Sequence, residues 1–123
     1  MSKKNKSRLN KKIKAVYHRI IYVLCPAFNH EPIYFNRHGL RHMLYKYSVP
    51  RKSSDRYRRL KLLQKAVSIL NSASSFKTKE ILTDKRKTTI WTFEEKTHEH
   101  RIRVLVRSFE SGIKHFYSVM DDK

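Results

Sequence analysis

Two clusters of polar side chains in this 123-residue chain have the types and spacing to do chemistry. The first is His38, Arg41, His42, Tyr45 and Lys46; the second is Arg103, Arg107, Lys114, His115, Tyr117 and Ser118. On a helix, residues four apart are neighbours, so His38 and His42 can reach the same spot. Imidazole titrates near neutrality and can take up or give up a proton there. Arginine and lysine stabilise charge building on a phosphoryl group, often the largest contribution to a rate. Together these groups could cleave RNA with no metal ion and no cofactor. A base takes the proton of the ribose 2′-hydroxyl, that oxygen attacks the adjacent phosphorus, and an acid protonates the departing 5′-oxygen. His42, His115, Lys114, Arg107, Ser118 and His38 are the candidate catalytic residues. Arg41, Lys46, Arg103, Tyr45 and Tyr117 are candidate substrate contacts, the tyrosines by stacking on a base. The histidine pair also has a zinc-like spacing, but no Glu follows the first His and no clear third ligand is in sight, so no metal is expected.

The second cluster lies on Arg101–Met120, which reads as two strands joined at Glu110-Ser111-Gly112. Ile102, Val104 and Val106 alternate with Arg101, Arg103 and Arg107, the period of a half-buried strand. Gly112 is expected to supply the positive φ of the turn. Phe76–Leu82 and Thr88–Glu94 read as further strands, with turns at Thr83-Asp84-Lys85 and near Thr97-His98-Glu99. The four make an antiparallel meander, with Trp91 and Phe93 on its core face. The first cluster sits on a helix whose N-cap is Asn36 and whose buried face is Leu40, Met43, Leu44 and Tyr47. A longer helix, about 55 to 73, follows a cap at Ser53-Ser-Asp55. Ahead of both, residues 1 to about 12 read as a frayed basic arm, and Ile13, Val16, Ile20 and Leu24 as the stripe of an amphipathic helix that Pro26 stops. Helices first and strands afterwards give an α+β fold, N-terminal helices followed by a four-stranded antiparallel sheet.

Charge narrows the partners. Lys and Arg number 29 against 10 Asp and Glu, a net charge of +19, and such a field draws polyanions. Nucleic acid comes first, anionic membrane second and an acidic protein third. The single cysteine, Cys25, excludes an intramolecular disulfide and a cysteine-built metal site. No apolar run approaches the roughly 18 residues of a transmembrane span, and the basic N-terminus lacks a cleavable leader's pattern, so action in the cytoplasm is expected. The N-terminal helix could dock on the domain, lie on RNA or rest on a membrane surface; docking is the commonest fate of such a stripe. His18, His30, His98 and His100 are expected to be structural or exposed.

Two stretches carry a family resemblance. Ile33-Tyr-Phe-Asn-Arg-His-Gly-Leu-Arg-His-Met-Leu-Tyr-Lys46, and Arg103-Val-Leu-Val-Arg107 with Lys114-His-Phe-Tyr-Ser-Val-Met120, resemble phage-type toxins of the Barnase–EndoU–colicin–RelE (BECR) ribonuclease superfamily. The resemblance covers about residues 31–122. It implies a BECR-like ribonuclease domain over 31–123; the basic N-terminal arm and helix over 1–30 lie outside it. It further implies a toxin cutting tRNA or mRNA without metal, and an acidic antitoxin or immunity protein as partner. By the same resemblance, His38 or His42 and the run Lys114-His115 to Ser118 lie in the active site and Arg107 contacts phosphate. The alternative class is a non-catalytic RNA- or DNA-binding protein whose Arg and Lys only neutralise phosphates.

Overall fold

The computed structural model describes residues 3–83, 86–98 and 100–122. Asp84, Lys85 and Glu99, in two of the expected turns, lie outside them. Helix α1 (Lys3–Ile20) takes up most of the stretch expected as a frayed arm. Leu9, Ile13 and Tyr17, four residues apart, bury one stripe of it in the core. The helix stops at Ile20 and does not run on to Leu24. Ile21 adopts a left-handed φ of 63°, and the β-branched and aromatic run behind it forms strand β1 (Tyr22–Cys25). Val23 and Cys25 are buried while Tyr22 and Leu24 are exposed, so the local period is two.

A 3-10 turn (Pro26–Phe28) leads to β2 (Glu31–Tyr34), then α2 (Arg37–Leu44). A small hairpin, β3 (Tyr45–Lys46) and β4 (Val49–Pro50), separates α2 from α3 (Ser53–Ser72). The meander follows: β5 (Thr78–Leu82), β6 (Thr88–Lys96), β7 (Arg101–Phe109) and β8 (Lys114–Asp122). Its antiparallel pairing is as expected, but the sheet is larger and mixed. Six strands run in the order β1-β2-β8-β7-β6-β5, because β2 joins β8 in parallel and β1 joins β2 antiparallel. The four-stranded antiparallel sheet expected from the sequence is therefore corrected to six. Pairing β2 with β8 closes about eighty residues of chain, which local periodicity does not encode. A boundary at residue 30 would cut this sheet between β1 and β2, and Ile13 and Tyr17 share one core with Ile33, Phe35 and Phe116.

Trp91, Phe93, Ile102, Val104 and Val106 form the buried face of the sheet, over which α3 packs. The cap expected at Ser53-Ser-Asp55 is not made: Lys52 precedes the first turn and no side chain caps it. Helix α2 is held more tightly. Asn36 accepts from the His38 backbone N–H at 3.1 Å, and the Tyr17 hydroxyl donates to the Asn36 carbonyl at 2.6 Å. Gly39 then rests directly on β8: a Cβ there would lie 2.4 Å from the Tyr17 hydroxyl and 2.6 Å from the Phe116 carbonyl. Only a residue without a side chain lets α2 approach so closely.

Among the described residues, successive left-handed residues occur at Asn29–His30, ahead of β2, and in two hairpin turns. Tyr47 (φ 52°) and Ser48 (φ 71°) are the two loop residues of the β3–β4 hairpin, and both are left-handed. Positive φ at both positions is the I′ turn signature, usually met by Asn-Gly, and costs about 1–2 kcal/mol for each ordinary residue. Glu110 (φ 50°) and Ser111 (φ 63°) do the same between β7 and β8. The positive φ expected at Gly112 is thus carried by its two predecessors. Gly112 is needed for room, since a Cβ would sit 2.9 Å from the Phe109 carbonyl oxygen.

Candidate active site

The register of β7 and β8 builds the site. Arg107 pairs across the ladder with His115, and the Arg107 Nε–H donates to His115 Nε2 at 3.0 Å. The pairing slips between Val106↔Phe116 and Leu105↔Ser118, leaving Tyr117 as the extra residue of a β-bulge. Bulges re-aim side chains beside functional sites. Here Tyr117 turns beneath the Arg107 guanidinium, whose carbon lies 4.1 Å from the ring centre. The slip also explains how Phe116 and Val119, three residues apart, both reach the core.

Helix α2 lies beside β8 and presents its two histidines to the same place. The rings of His38 and His115 are 5.2 Å apart, and those of His42 and Tyr117 are 4.6 Å apart. His38, Arg41, His42, Tyr45, Arg107 and Tyr117 line an open cleft of about 260 Å³, with Tyr47 and Ser48 at its edge. Arg41 stacks over Tyr45 at 5.1 Å. Phe109 closes the other side between two guanidinium groups, Arg86 at 3.5 Å and Arg107 at 4.5 Å from its ring centre.

Behind the cleft is a fixed support. Arg51 donates from Nε to the His42 carbonyl at 2.8 Å, approaches His42 Nδ1 with Nη2 at 3.4 Å, and donates from Nη1 to Asp55 at 3.0 Å. Arg59 donates to Asp55 at 3.2 Å, to Ser118 Oγ at 3.3 Å and to the Val119 carbonyl at 3.1 Å. With Arg51 facing Nδ1, the proton of neutral His42 belongs on Nε2. The Arg107 bond likewise places the proton of neutral His115 on Nδ1.

These surroundings keep the imidazoles neutral. Burial, then Arg51, Arg59 and Arg107, pushes His42 down to about 4, with Asp55 opposing. Burial, then Arg107, His38 and Arg86, pushes His115 down to about 4. Burial, then Arg107, Arg37 and Arg86, lowers His38. Burial works against ionisation of Asp55, yet Arg59 and Arg51 hold its carboxyl below the ordinary range.

Of the side chains singled out in the sequence, His38, Arg41, His42, Tyr45, Arg107, His115 and Tyr117 come together. Lys46 borders the adjoining cavity. Three others do not join them. Lys114 points to the opposite side of the sheet, where its ammonium pairs with Glu31 and lies 4.9 Å from the centre of the Phe28 ring and 5.1 Å from that of Trp91. Ser118 is buried and accepts from Arg59. Arg103 pairs with Asp122 at 3.0 Å, away from the cleft. Five contributors escaped the sequence reading: Arg51, Asp55, Arg59, Arg86 and Phe109. Phe109 alone had a signal, because it shares a strand face with Arg107 two residues before it. No protein-family model, curated protein or solved structure matches the chain.

Proposed function

We propose that this protein is an endoribonuclease of the BECR type, cutting RNA by attack of a ribose 2′-hydroxyl on the adjacent phosphate. The observation that carries this reading is the pair of neutral imidazoles on α2, facing a cleft whose lining, among the described residues, includes guanidinium groups and no carboxylate. Such a cleft favours an anion, and a phosphodiester brings one charge to Arg107. Among the described residues, the ring nitrogens of His38 have no hydrogen-bond partner, so His38 is the base that takes the 2′ proton. The oxygen–phosphorus bond to O2′ forms as the bond to O5′ breaks, and Arg107 stabilises the charge on the phosphoryl oxygens. His42 returns a proton to O5′. Burial and then the charges of Arg51, Arg59 and Arg107 hold its pKa low, with Asp55 offsetting them only in part, and a bound phosphate raises it toward the protonated form that donates. His115, with Nε2 occupied by Arg107, orients the guanidinium and is not the base.

An acidic protein inhibitor covering the cleft fits the same charge distribution. Its association would slow steeply with added salt. The deciding experiment is incubation of the purified protein with total RNA in EDTA, followed by mapping of the cuts. The expected products end in a 2′,3′-cyclic phosphate and a 5′-hydroxyl. RNA shifted in a gel but left intact identifies a binding protein instead. Products with 5′-phosphates, or activity lost in EDTA and restored by Mg²⁺, point to metal-activated water.

A further inference from the structure

Helical spacing places Tyr47 on the buried face of α2, together with Leu40, Met43 and Leu44. The structure does the reverse. The helix ends at Leu44, and Tyr47 stands at the tip of the β3–β4 hairpin with 90% of its surface exposed, more than any other large hydrophobic residue described. It is held there by two successive left-handed residues, a conformation that Asn or Gly would adopt with less strain. Strain that persists without a packing reward is a sign of use.

The position of the ring indicates the use. Tyr47 borders the reactive cleft together with His42 and Tyr117, and it borders the next cavity, about 350 Å³, together with Lys46, Arg51 and Arg59. The Lys46 ammonium lies 5.9 Å from its centre. An exposed aromatic ring therefore stands between two cavities that are each lined by cationic groups, Arg41 and Arg107 in one and Lys46, Arg51 and Arg59 in the other. A phosphate–base–phosphate unit of a nucleic acid strand has the matching order of charge, flat apolar surface and charge.

Resting on the ribonuclease reading, we infer that Tyr47 is a stacking platform for an unpaired base next to the phosphate held at Arg107, which makes single-stranded RNA the substrate class. In a duplex both faces of every base are covered by its neighbours, so a paired strand cannot present one to the hairpin tip. Stacking of this kind tolerates any base, since each has a π-face.

The test uses the full chain and a 2′-O-methyl oligonucleotide of about twelve residues, in which the attacking hydroxyl is blocked so that binding is read without cleavage. Its base-bearing form is compared with one carrying abasic central positions and with the duplex. The wild-type protein should prefer the base-bearing strand to the abasic one by about ten- to a hundredfold, and Tyr47→Ala should remove most of that preference while leaving the abasic affinity unchanged. Tyr47→Trp should keep it and add an indole fluorescence that the strand quenches. Tyr47→Asn separates stacking from folding: it should raise the unfolding midpoint by relieving the turn, yet lose the preference. Equal binding of base-bearing and abasic strands by wild type, wild-type preference in Tyr47→Ala, or duplex bound as tightly as single strand would overturn the inference. Stacking without any cleavage of unmodified RNA sinks the catalytic reading alone; cleavage with no contribution from Tyr47 sinks the stacking reading alone.

Discussion

The two ends of the β7–β8 ladder carry the same residue types and use them in opposite ways. At the end away from the cleft, each basic side chain has an acid beside it. His100 Nε2 pairs with Asp121 at 2.9 Å, Arg103 with Asp122 at 3.0 Å, and Arg101 with Glu94 at 3.5 Å. At the cleft end, Arg107 has an imidazole and two aromatic rings, Arg86 has Phe109, and the lining residues include no carboxylate. One end is a set of closed acid–base pairs. The other withholds compensation, and its imidazoles are held neutral by burial first and then by the neighbouring guanidinium groups. The lesson is that a net charge of +19 says little about where an anion goes; a cleft with no carboxylate among its described lining residues says it.

The comparison is sharpened most by substitution at the two ends. His38→Ala and His42→Ala should each slow RNA cleavage by about a hundred- to ten-thousandfold, the usual worth of a general acid or base. Arg107→Ala should cost about a hundred- to a thousandfold, as for one donor on a developing oxyanion. Arg103→Ala and His100→Ala, measured alongside, should stay within about twofold, because neither residue lines the cleft and the Arg103–Asp122 pair is exposed. Equal losses at both ends would erase the distinction.

Stability against pH is the next lever. In the unfolded chain His42 and His115 bind a proton near the ordinary histidine value of about 6.5; folded, they do so only near 4. Between those values the unfolded state holds more protons. Stability therefore rises with pH across this window, is flat above it for these groups, and is lowest below about pH 4. For His115, which is only 2% exposed, the swing is on the order of 3 kcal/mol. Denaturant unfolding at several pH values should show this slope, and His115→Gln should flatten part of it.

Much of this arrangement is legible in the sequence. The alternation over Arg101–Phe109 and the turn at Glu110–Gly112 are enough to set Arg107 opposite His115. Asn36 announces α2, and the four-residue spacing puts His38 and His42 on one side of it. The same alternation should have separated Lys114 from His115, because consecutive strand residues point to opposite faces. Grouping them by chemistry overlooked their geometry. The bulge at Tyr117, the parallel pairing of β2 and the arrival of Arg51 and Arg86 depend on contacts between distant segments, which periodicity does not record.

Two smaller effects complete the series. Gly39→Ala should destabilise by about 1–3 kcal/mol, the usual cost of overpacking, and should reduce cleavage by moving both α2 histidines away from β8. Thermal melts with rate measurements on the fraction still folded would separate the two losses. Lys114→Ala should leave cleavage within a few-fold (about threefold), since its ammonium is engaged by Glu31 on the far side of the sheet. A loss near that of Arg107→Ala would mean that Lys114 changes sides when RNA binds.

The strand order has a temporal consequence. β8 follows every other strand in the chain yet lies between β2 and β7 in the sheet. A polypeptide growing from its N-terminus can form α1, α2, α3, the β1–β2 pair and the β5–β7 hairpins, but the β1–β2 pair has nothing to join it to that meander until Lys114–Asp122 has been made. Tyr117 of the cleft, and His115 that holds Arg107, arrive on that same strand. An incomplete chain therefore possesses the imidazoles of α2 without the partners that aim them, and on the ribonuclease reading proposed above, competence for chemistry would switch on with the closing of the sheet. A chain stopped before Lys114 that still melted cooperatively and cut RNA would contradict this coupling.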